Sequence, residues 1–330
     1  MTASTTRCTT AARARTPRTS KMAAVAAIAV AGTMLLTACG DQTNKPATGG
    51  KEAKGVPAVP HPLAHLLPQD IRDKGVIKVG SDIAYPPVEF KDKAGKVTGI
   101  DPDLAYALSK QLGVRFEFEN GTFDTLITGL RAKRYDITMS AMTDTKDRQM
   151  GIDSATKKKV GEGVDFVDYF NAGVSIYTKQ GVDTGIKTWA DLCEKKIVLQ
   201  RGTVSEDLAK AESAKCVAAK KGPIAIEAFD TDQQAQTRLR SGGADAGSSD
   251  YPVAAYVVKT SGGGKDFQIV GEQVEAAPYG IAVAKGNTQL RDAIKAALDA
   301  IIATGEYKTV LDKWGVAAGA VTEAKINGGS

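Results

Sequence analysis

The clearest chemical pattern in this chain lies at Asp136–Arg148, whose sequence is DITMSAMTDTKDR. Alternating apolar and small polar residues predict a short strand at its start, and Thr143 and Asp144 predict a turn. Thr145 is a good N-cap residue, so we expect a helix with Arg148 in its first turn. A cation there opposes the helix dipole, whereas a guanidinium can bind a carboxylate through two parallel hydrogen bonds. The stretch therefore indicates a carboxylate-binding cradle, with a solvated helix arginine as the alternative.

Histidine chemistry is excluded from most of the chain. The two histidines, His61 and His65, lie in a proline-punctuated stretch before the expected folded part, which begins near Ile71. That part can therefore contain no Ser–His or Cys–His nucleophile and no histidine metal ligand. The sequence has no CxxC pair and no Cys/His metal spacing. We expect no catalytic residues, no metal and no cofactor.

The net charge of +5 comes from the first 38 residues. Five of the 43 basic residues and no acidic residue lie there, so the other 38 basic residues equal the 38 acidic ones in number. A neutral body gives no support for binding to nucleic acid. The length of 330 residues allows one large domain or two smaller ones.

The leader, residues 1–38, has the features of a secretory signal peptide. Its basic start is followed by the apolar run Met22–Leu36, which is short for a membrane-spanning helix. The next residues, Leu36–Cys39, resemble a bacterial lipobox, which predicts cleavage before Cys39 and lipid attachment to it. A plain signal peptide and a poor membrane helix are the alternatives. Residues 39–70 are rich in Thr, Lys, Gly, Pro and Ala, and we expect them to form a flexible tether.

The four cysteines divide into two groups. Cys8 would be removed with the leader and Cys39 would carry the lipid. Cys193 and Cys216 remain, in an extracytoplasmic compartment where disulfides persist. We therefore predict a structural disulfide between them.

The elements that must position Arg148 alternate between strands and helices, which indicates a parallel α/β layer. Helix starts are expected at good N-cap residues, namely Asp101 (followed by Pro102), Thr145, Thr203 and Thr231. Thr203 with Glu206, and Thr231 with Gln234, match capping boxes. The charged stretch 151–163 is expected to be a surface insertion, and residues 317–330 a disordered tail.

With these elements placed, the sequence resembles the extracytoplasmic solute-binding proteins of ABC transporters, in the family that binds polar amino acids. The resemblance rests on ordered motifs: Gly80-Ser81-Asp82 to Tyr85-Pro86-Pro87, Gly99-Ile100-Asp101 to Leu104, Phe123-Asp124 to Leu130, Asp136 to Arg148, Val164-Asp165-Phe166, Gln200 to Thr203, Ala244-Asp245 to Asp250, Tyr279-Gly280-Ile281 and Lys313-Trp314.

The resemblance implies a two-lobed α/β fold of the periplasmic-binding-protein type II class, with a hinge and an interlobe cleft. One lobe would be discontinuous, formed by residues 71–174 and 281–316, and the other would be formed by residues 179–276. Two crossing segments would join them, and the lobes would close over a ligand by hinge motion. We expect a monomer that delivers an amino acid to an ABC permease and is held at the membrane by its lipid.

The resemblance also implies residues for the charged ends of an amino-acid ligand. Arg148 would bind the α-carboxylate, helped by the Thr143 hydroxyl and by amides near Ser140. Thr203, from the other lobe, would donate to the same carboxylate. Asp250 would accept from the α-ammonium group. The alternatives are a loop or cap carboxylate for Asp250 and a simple helix cap for Thr203.

Four further residues would contact the ligand side chain. Tyr85 and Phe123 would sandwich its stem, Asp82 would face its polar end, and Gln200 would touch it. A carboxylate at Asp82 favours a basic side chain first, then glutamine, with acidic amino acids last. The alternatives are core aromatic residues for Tyr85 and Phe123 and a loop carboxylate for Asp82.

Two other functions share this fold. A surface receptor or adhesin would bind no small ligand tightly. A dehydratase-like enzyme would need a carboxylate, lysine or tyrosine as its acid or base, because histidine is missing. Glu89, near Asp82 in sequence, is the candidate we can name for that role.

Overall fold

The computed structural model describes residues 61–329, so the predicted signal peptide, Cys39 and most of the predicted tether lie outside the described residues. The strands are β1 (Val76–Ser81), β2 (Ala84–Tyr85), β3 (Glu89–Lys91), β4 (Val97–Thr98), β5 (Arg115–Asn120), β6 (Ile137–Thr138), β7 (Val164–Lys179), β8 (Lys196–Gln200), β9 (Ala225–Phe229), β10 (Ala246–Asp250), β11 (Phe267–Ala284) and β12 (Lys325–Ile326). The helices are α1 (Gln69–Lys74), α2 (Ile100–Leu112), α3 (Leu126–Arg131), α4 (Lys146–Met150), α5 (Val204–Ala218), α6 (Asp232–Arg240), α7 (Tyr251–Thr260), α8 (Thr288–Ala303) and α9 (Glu306–Trp314).

The main sheet has the strand order β5-β1-β6-β11-β7-β10-β8-β9, and β12 pairs with β7. β1 is parallel to β5 and β6, and β8 is parallel to β9 and β10. We call the elements before β7 and after β11 the first lobe, and the elements between β7 and β11 the second lobe. The α/β class and the two-lobed fold predicted from the sequence are confirmed.

β7 and β11 form a long antiparallel ribbon that connects the lobes. It runs from the pair Lys179–Phe267 to the pair Val164–Ala284, with register shifts between Val270 and Val274, between Val274 and Ala277, and at Tyr279–Gly280. The predicted crossing points, near residues 174–179 and 276–281, fall inside these two strands. The predicted lobe boundaries themselves stay a prediction.

α2 shows how the apolar pattern builds the first lobe. Leu104, Leu108 and Leu112 lie on one face of this helix and are fully buried in the main core, which α8 shares. The helix begins two residues earlier than expected, with Gly99 as its N-cap residue, so the prediction that Asp101 caps it is wrong. Asp101 is instead fully buried, because it accepts hydrogen bonds from groups distant in sequence.

The expected tether ends earlier than predicted. Leu67 is fully buried, the Leu63 N–H donates to the Gln111 carbonyl, and His61 Nδ1 lies 2.8 Å from the Lys110 carbonyl oxygen. The apolar residues of this stretch pack against α2 and α8. The prediction of a flexible tether is therefore wrong for residues 61–70.

The prediction that the tail is disordered is also wrong over residues 317–329. Ala317–Gly319 form a turn of 3₁₀ helix, and Lys325–Ile326 pair with β7 as β12. Ala324 is 2% exposed, which shows that the segment contributes to the core despite its small residues. Backbone pairing that is distant in sequence holds it.

The predicted disulfide between Cys193 and Cys216 is present. It joins the end of a short 3₁₀ helix (Trp189–Leu192) to α5 within the core of the second lobe. In the part of the chain that the structure describes, no helix is both long enough and apolar enough to cross a bilayer.

Candidate functional site

Arg148 lies where the sequence placed it, in the first turn of the short helix α4. The Thr145 hydroxyl caps this helix by accepting from the Arg148 N–H at 3.3 Å. Arg148 Nη1 donates to the Thr143 carbonyl at 2.7 Å, and its Nη2 donates to the Gly202 carbonyl of the second lobe at 2.9 Å. The guanidinium lies 5.4 Å from the centre of the Phe123 ring, a cation–π arrangement. Guanidinium has five N–H donors, so donors remain after these two bonds.

Asp82 is held at the end of β1 and faces the second lobe. Its side chain is 3% exposed and accepts from Gln200 Nε2 at 2.5 Å. The Asp82 N–H donates to the Ser140 hydroxyl at 3.0 Å, and that hydroxyl donates to Glu89 at 2.7 Å. The structure thus brings Asp82, Gln200 and Ser140 together, with the Ser140 hydroxyl used to support the Asp82 loop.

Tyr85 and Asp250 meet across the cleft. The Asp250 N–H, at the start of α7, donates to the Tyr85 hydroxyl at 3.1 Å. Burial raises the pKa of the Asp250 carboxyl to about 6, while the neighbouring Tyr279 and Tyr85 hydroxyls and the Arg148 charge oppose the rise. Tyr279 is named in the family motif but was not predicted as a site residue, and its 1% exposed side chain lies against Asp250.

Thr203 is the N-cap residue of α5, in the second lobe. Its hydroxyl accepts from the Glu206 N–H at 3.3 Å and donates to the Gln200 carbonyl at 2.8 Å. The Glu206 carboxylate accepts from the Gly202 N–H, one residue before the position that a capping box requires. The predicted capping box is therefore only half formed, and the contact of Thr203 with a ligand stays a prediction.

The two lobes are in contact across the cleft. Three of the bridging hydrogen bonds are those already described, Asp82–Gln200, Tyr85–Asp250 and Arg148–Gly202. A fourth joins the Ser154 hydroxyl to the Asp207 carboxylate at 2.6 Å. Ser154 belongs to the stretch 151–163 that the sequence predicts to be a surface insertion, so this insertion touches the second lobe beside the site.

The cleft is rich in carboxyl groups. Burial raises the pKa of Asp82 to about 6, the nearby Asp124 adds to the rise, and the hydrogen bond from Gln200 opposes it. Burial also raises the pKa of Asp232 to about 7, with Asp250 and Asp82 adding to the rise. Carboxyl groups whose charges raise a neighbour's pKa lie close enough to repel it when both are ionised, so the site favours a positive charge among them.

Asp232 was missed by the sequence analysis. It follows the N-cap residue Thr231, and the capping box of Thr231 and Gln234 is fully formed, as predicted. An acidic residue in the first turn of a helix has an ordinary explanation in the helix dipole, so nothing in the sequence singled out Asp232. Its burial is the distinguishing signal: Asp232 is 1% exposed, and its Oδ1 finds no hydrogen-bond partner among the described residues.

Glu89 lies behind the site and does not line the cleft. It is fully buried with Asp101, which accepts from the Tyr169 hydroxyl at 2.7 Å. Burial and the Asp101 charge raise the pKa of Glu89 well above its usual range. Among residues 61–329 no group of three or more metal-ligating side chains is assembled. The arrangement can bind a small ion with two charged ends.

Three comparisons agree on what this chain is similar to. The family described as bacterial extracellular solute-binding proteins, family 3, matches residues 77–317. The arginine-binding protein ArgT of Corynebacterium glutamicum is 31% identical over 315 residues, which cover 95% of this chain and 98% of that protein. A solved ancestral arginine-binding protein bound to arginine has a TM-score of 0.64 and 36% identity, covering 73% of this chain and 98% of that one. A second structure of an ancestral arginine-binding protein, bound to glutamine, has a TM-score of 0.63 and 36% identity, covering the same shares.

Proposed function

Because this chain belongs to the bacterial extracellular solute-binding proteins of family 3, we propose that it captures a basic L-amino acid between its lobes. It would deliver that ligand to an ABC permease in the membrane. The relatives are binding proteins by name, and the chain shares their non-enzymatic role.

The α-carboxylate of the ligand would bind Arg148, whose two observed hydrogen bonds leave donors for a bidentate contact. The α-ammonium group would bind Asp250, which lies near enough to Arg148 for their charges to interact. The α-carbon would then lie between these two residues. Thr143, beside Arg148, and Thr203, at the N-terminus of the fifteen-residue helix α5, would add donors to the carboxylate.

The observation that supports a basic side chain is the set of interacting carboxyl groups in the cleft. Asp82 is nearly inaccessible, and its carboxylate pairs, among residues 61–329, only with a neutral amide, while Asp124 and Asp232 contribute further negative charge near it. A ligand ammonium or guanidinium would relieve this repulsion. A glutamate side chain would add to it, and a small neutral side chain would leave Asp82 buried without a cation. Arginine in the names of the relatives points to the same ligand class.

Glutamine is the second candidate ligand. The Asp82 carboxylate can accept from an amide N–H, and the Gln200 side chain can donate to an amide oxygen. The ancestral protein solved with glutamine supports this alternative. A site shared by both ligands would bind the cation more tightly, because only the cation neutralises Asp82.

We also propose that a lipid on Cys39 holds the protein at the outer face of the cell membrane. The support is the sequence Leu36–Cys39 directly after an apolar run, which lies outside the described residues. A membrane-anchored binding protein stays near its permease, which raises the local concentration of loaded protein.

Titration calorimetry tests the ligand assignment. The protein would be unfolded and refolded to remove any bound ligand, and then titrated with L-arginine, L-lysine, L-glutamine and L-glutamate. We expect arginine or lysine to bind most tightly, glutamine next and glutamate least. Glutamate as the tightest ligand would overturn the assignment of a basic ligand. Binding of no amino acid at all would favour a surface receptor or adhesin.

A further inference from the structure

The C-terminal tail, which we define as residues 317–329, packs on the first lobe, and its last residues contact the turn that precedes α4. Asn327 forms a backbone and side-chain pair with Phe166: the Asn327 N–H donates to the Phe166 carbonyl at 3.1 Å, and the Phe166 N–H donates to Asn327 Oδ1 at 2.8 Å. Asn327 Nδ2 also donates to Asp165 at 3.0 Å. These bonds fix the direction of the last described residues.

The end of the tail reaches two buried carboxyl groups. The Gly328 N–H donates to Asp168 Oδ2 at 2.9 Å, and the Gly329 N–H donates to Asp144 Oδ2 at 2.8 Å. Asp144 is fully buried and Asp168 is 3% exposed. Burial and the adjacent Asp144 raise the pKa of Asp168 to about 7.

Asp144 is built into the turn that carries Arg148. It directly follows Thr143, whose carbonyl accepts from the Arg148 guanidinium. Its other carboxylate oxygen accepts from Gln149 Nε2 at 2.7 Å, and Gln149 adjoins Arg148 in α4. The Asp144 side chain therefore ties both ends of this turn together, and one of its two oxygens is held by the tail.

We propose that the C-terminal tail is a positioning element for ligand binding: through Gly329 it holds Asp144, and through Asp144 it orients the Arg148 guanidinium. This inference rests on the proposed function, in which Arg148 binds the α-carboxylate of the ligand. The tail itself touches no ligand. It acts on one end of the ligand, because none of the hydrogen bonds found for Asp82 and Asp250 among the described residues, such as those to Gln200, Ser140 and Tyr85, goes to the tail.

The fit of Gly329 against Asp144 offers a direct way to lift the tail. A Cβ atom at Gly329 would lie 2.0 Å from the Asp144 carbonyl oxygen and 2.8 Å from its carboxyl carbon, with no room for it. Gly329→Val must therefore displace the end of the tail. Thr322→Val introduces the same side chain at an exposed position of the same tail and serves as the control. A chain that ends at Ile326 removes the contact without adding bulk.

The test compares L-arginine with L-argininamide, which lacks the carboxylate, by titration calorimetry. We expect Gly329→Val and the chain ending at Ile326 to lower the preference for arginine over argininamide roughly tenfold, because misplacing a charged contact by a fraction of an ångström weakens it. Thr322→Val should leave that preference unchanged. A preference that stays as in the wild type in both tail variants, whether or not the melting temperature falls, overturns the positioning role.

A second readout needs no ligand. The Arg148 side-chain N–H signals, followed by nuclear magnetic resonance in ligand-free protein, should broaden or shift in Gly329→Val and not in Thr322→Val. An unchanged Arg148 signal overturns the inference. A wild-type protein that binds neither compound, with a changed Arg148 signal in the variant, overturns the proposed function while the link from tail to Arg148 stands.

Discussion

The Asp82 carboxylate of the first lobe accepts a hydrogen bond from the Gln200 amide of the second lobe at 2.5 Å. Asp82 directly follows β1 in the first lobe, and Gln200 is the last residue of β8 in the second lobe. Gln200 Nε2 also donates to the Asp230 carbonyl at 3.1 Å, which fixes its amide with the nitrogen towards Asp82. The only partner that the structure gives the Asp82 carboxylate is therefore neutral.

This pairing makes Asp82 the first position to test for selectivity. Asp82→Asn keeps the size and much of the hydrogen bonding but removes the charge, so the affinity for L-arginine should fall by about 2 kcal/mol or more. The affinity for L-glutamine should change much less, because an amide needs no counter-charge. Calorimetry with both ligands on both proteins measures the difference. An equal loss for the two ligands would show that Asp82 does not face the ligand side chain.

Arg148→Lys should nearly abolish binding although the charge is kept. Lysine cannot reach the Thr143 and Gly202 carbonyls and also present two parallel donors to a carboxylate. We expect a loss of roughly 2–5 kcal/mol in binding free energy, with a normal circular dichroism spectrum. Arg134→Ala, an exposed arginine in the same lobe, is the matched control and should bind as the wild type does. Wild-type affinity in Arg148→Lys would remove Arg148 from the site.

Affinity for a basic ligand should fall as the pH is lowered through about 6. The pKa values of Asp82 and Asp250 are raised to about 6, and a bound cation stabilises their ionised forms, so binding releases protons below that pH. Protonation of each of these two carboxyl groups at pH 5 should lower the affinity roughly tenfold relative to pH 8. Calorimetry in buffers of different ionisation enthalpy counts the protons. Asp82→Asn should remove one of these two tenfold losses and leave that of Asp250, and a pH-independent affinity of the wild type would contradict this account.

Removing the disulfide should lower stability without changing affinity. The double variant Cys193→Ser, Cys216→Ser opens a loop whose ends are 23 residues apart. In the chain-entropy model this lowers the free energy of unfolding by about 3 kcal/mol. Cys216 lies near the C-terminal end of α5, whereas Thr203 lies at its other end, so the site should keep its geometry. Denaturant titration and calorimetry separate the two effects. A large loss of affinity would show that the bridge supports the site.

Cys39→Ala tests the proposed anchor. Lipid attachment needs the Cys39 thiol, so the variant should appear either as soluble mature protein or as an unprocessed precursor. Cell fractionation with immunodetection distinguishes these products from membrane-bound protein. Normal membrane retention of a processed Cys39→Ala protein would contradict lipid attachment at this residue.

Local signals in the sequence predicted helix starts around the candidate site. Thr145 caps α4 and Thr231 caps α6 as expected, because capping is decided by residues within one turn of helix. Arg148 could be singled out for the same reason. The helix start is defined by the four residues from Thr145 to Arg148, and a positive charge in the first turn opposes the helix dipole. The alternation of strands and helices gave the fold class.

Long-range partners could not be predicted. Asp101 has the residue type and the following proline of an N-cap residue, yet its carboxylate accepts from the Tyr169 hydroxyl, 68 residues away. Gly329 and Asp144 are 185 residues apart, and neither type reveals the other. A tail of small and polar residues reads as disorder unless the surface that receives it is known. The partners of buried charges are a property of the folded chain, so composition alone could not supply them.

The ribbon of β7 and β11 also determines the order in which the chain can assemble. Lys179 pairs with Phe267, so the second lobe is an insertion whose two ends lie side by side. The sheet of the first lobe is complete only when β11 pairs with β6, and β11 follows the whole second lobe in the chain. During synthesis from the N-terminus, the chain can therefore complete the β7-β10-β8-β9 part of the sheet in the second lobe before it completes the first lobe. The reason is that these four strands come from one continuous stretch of residues.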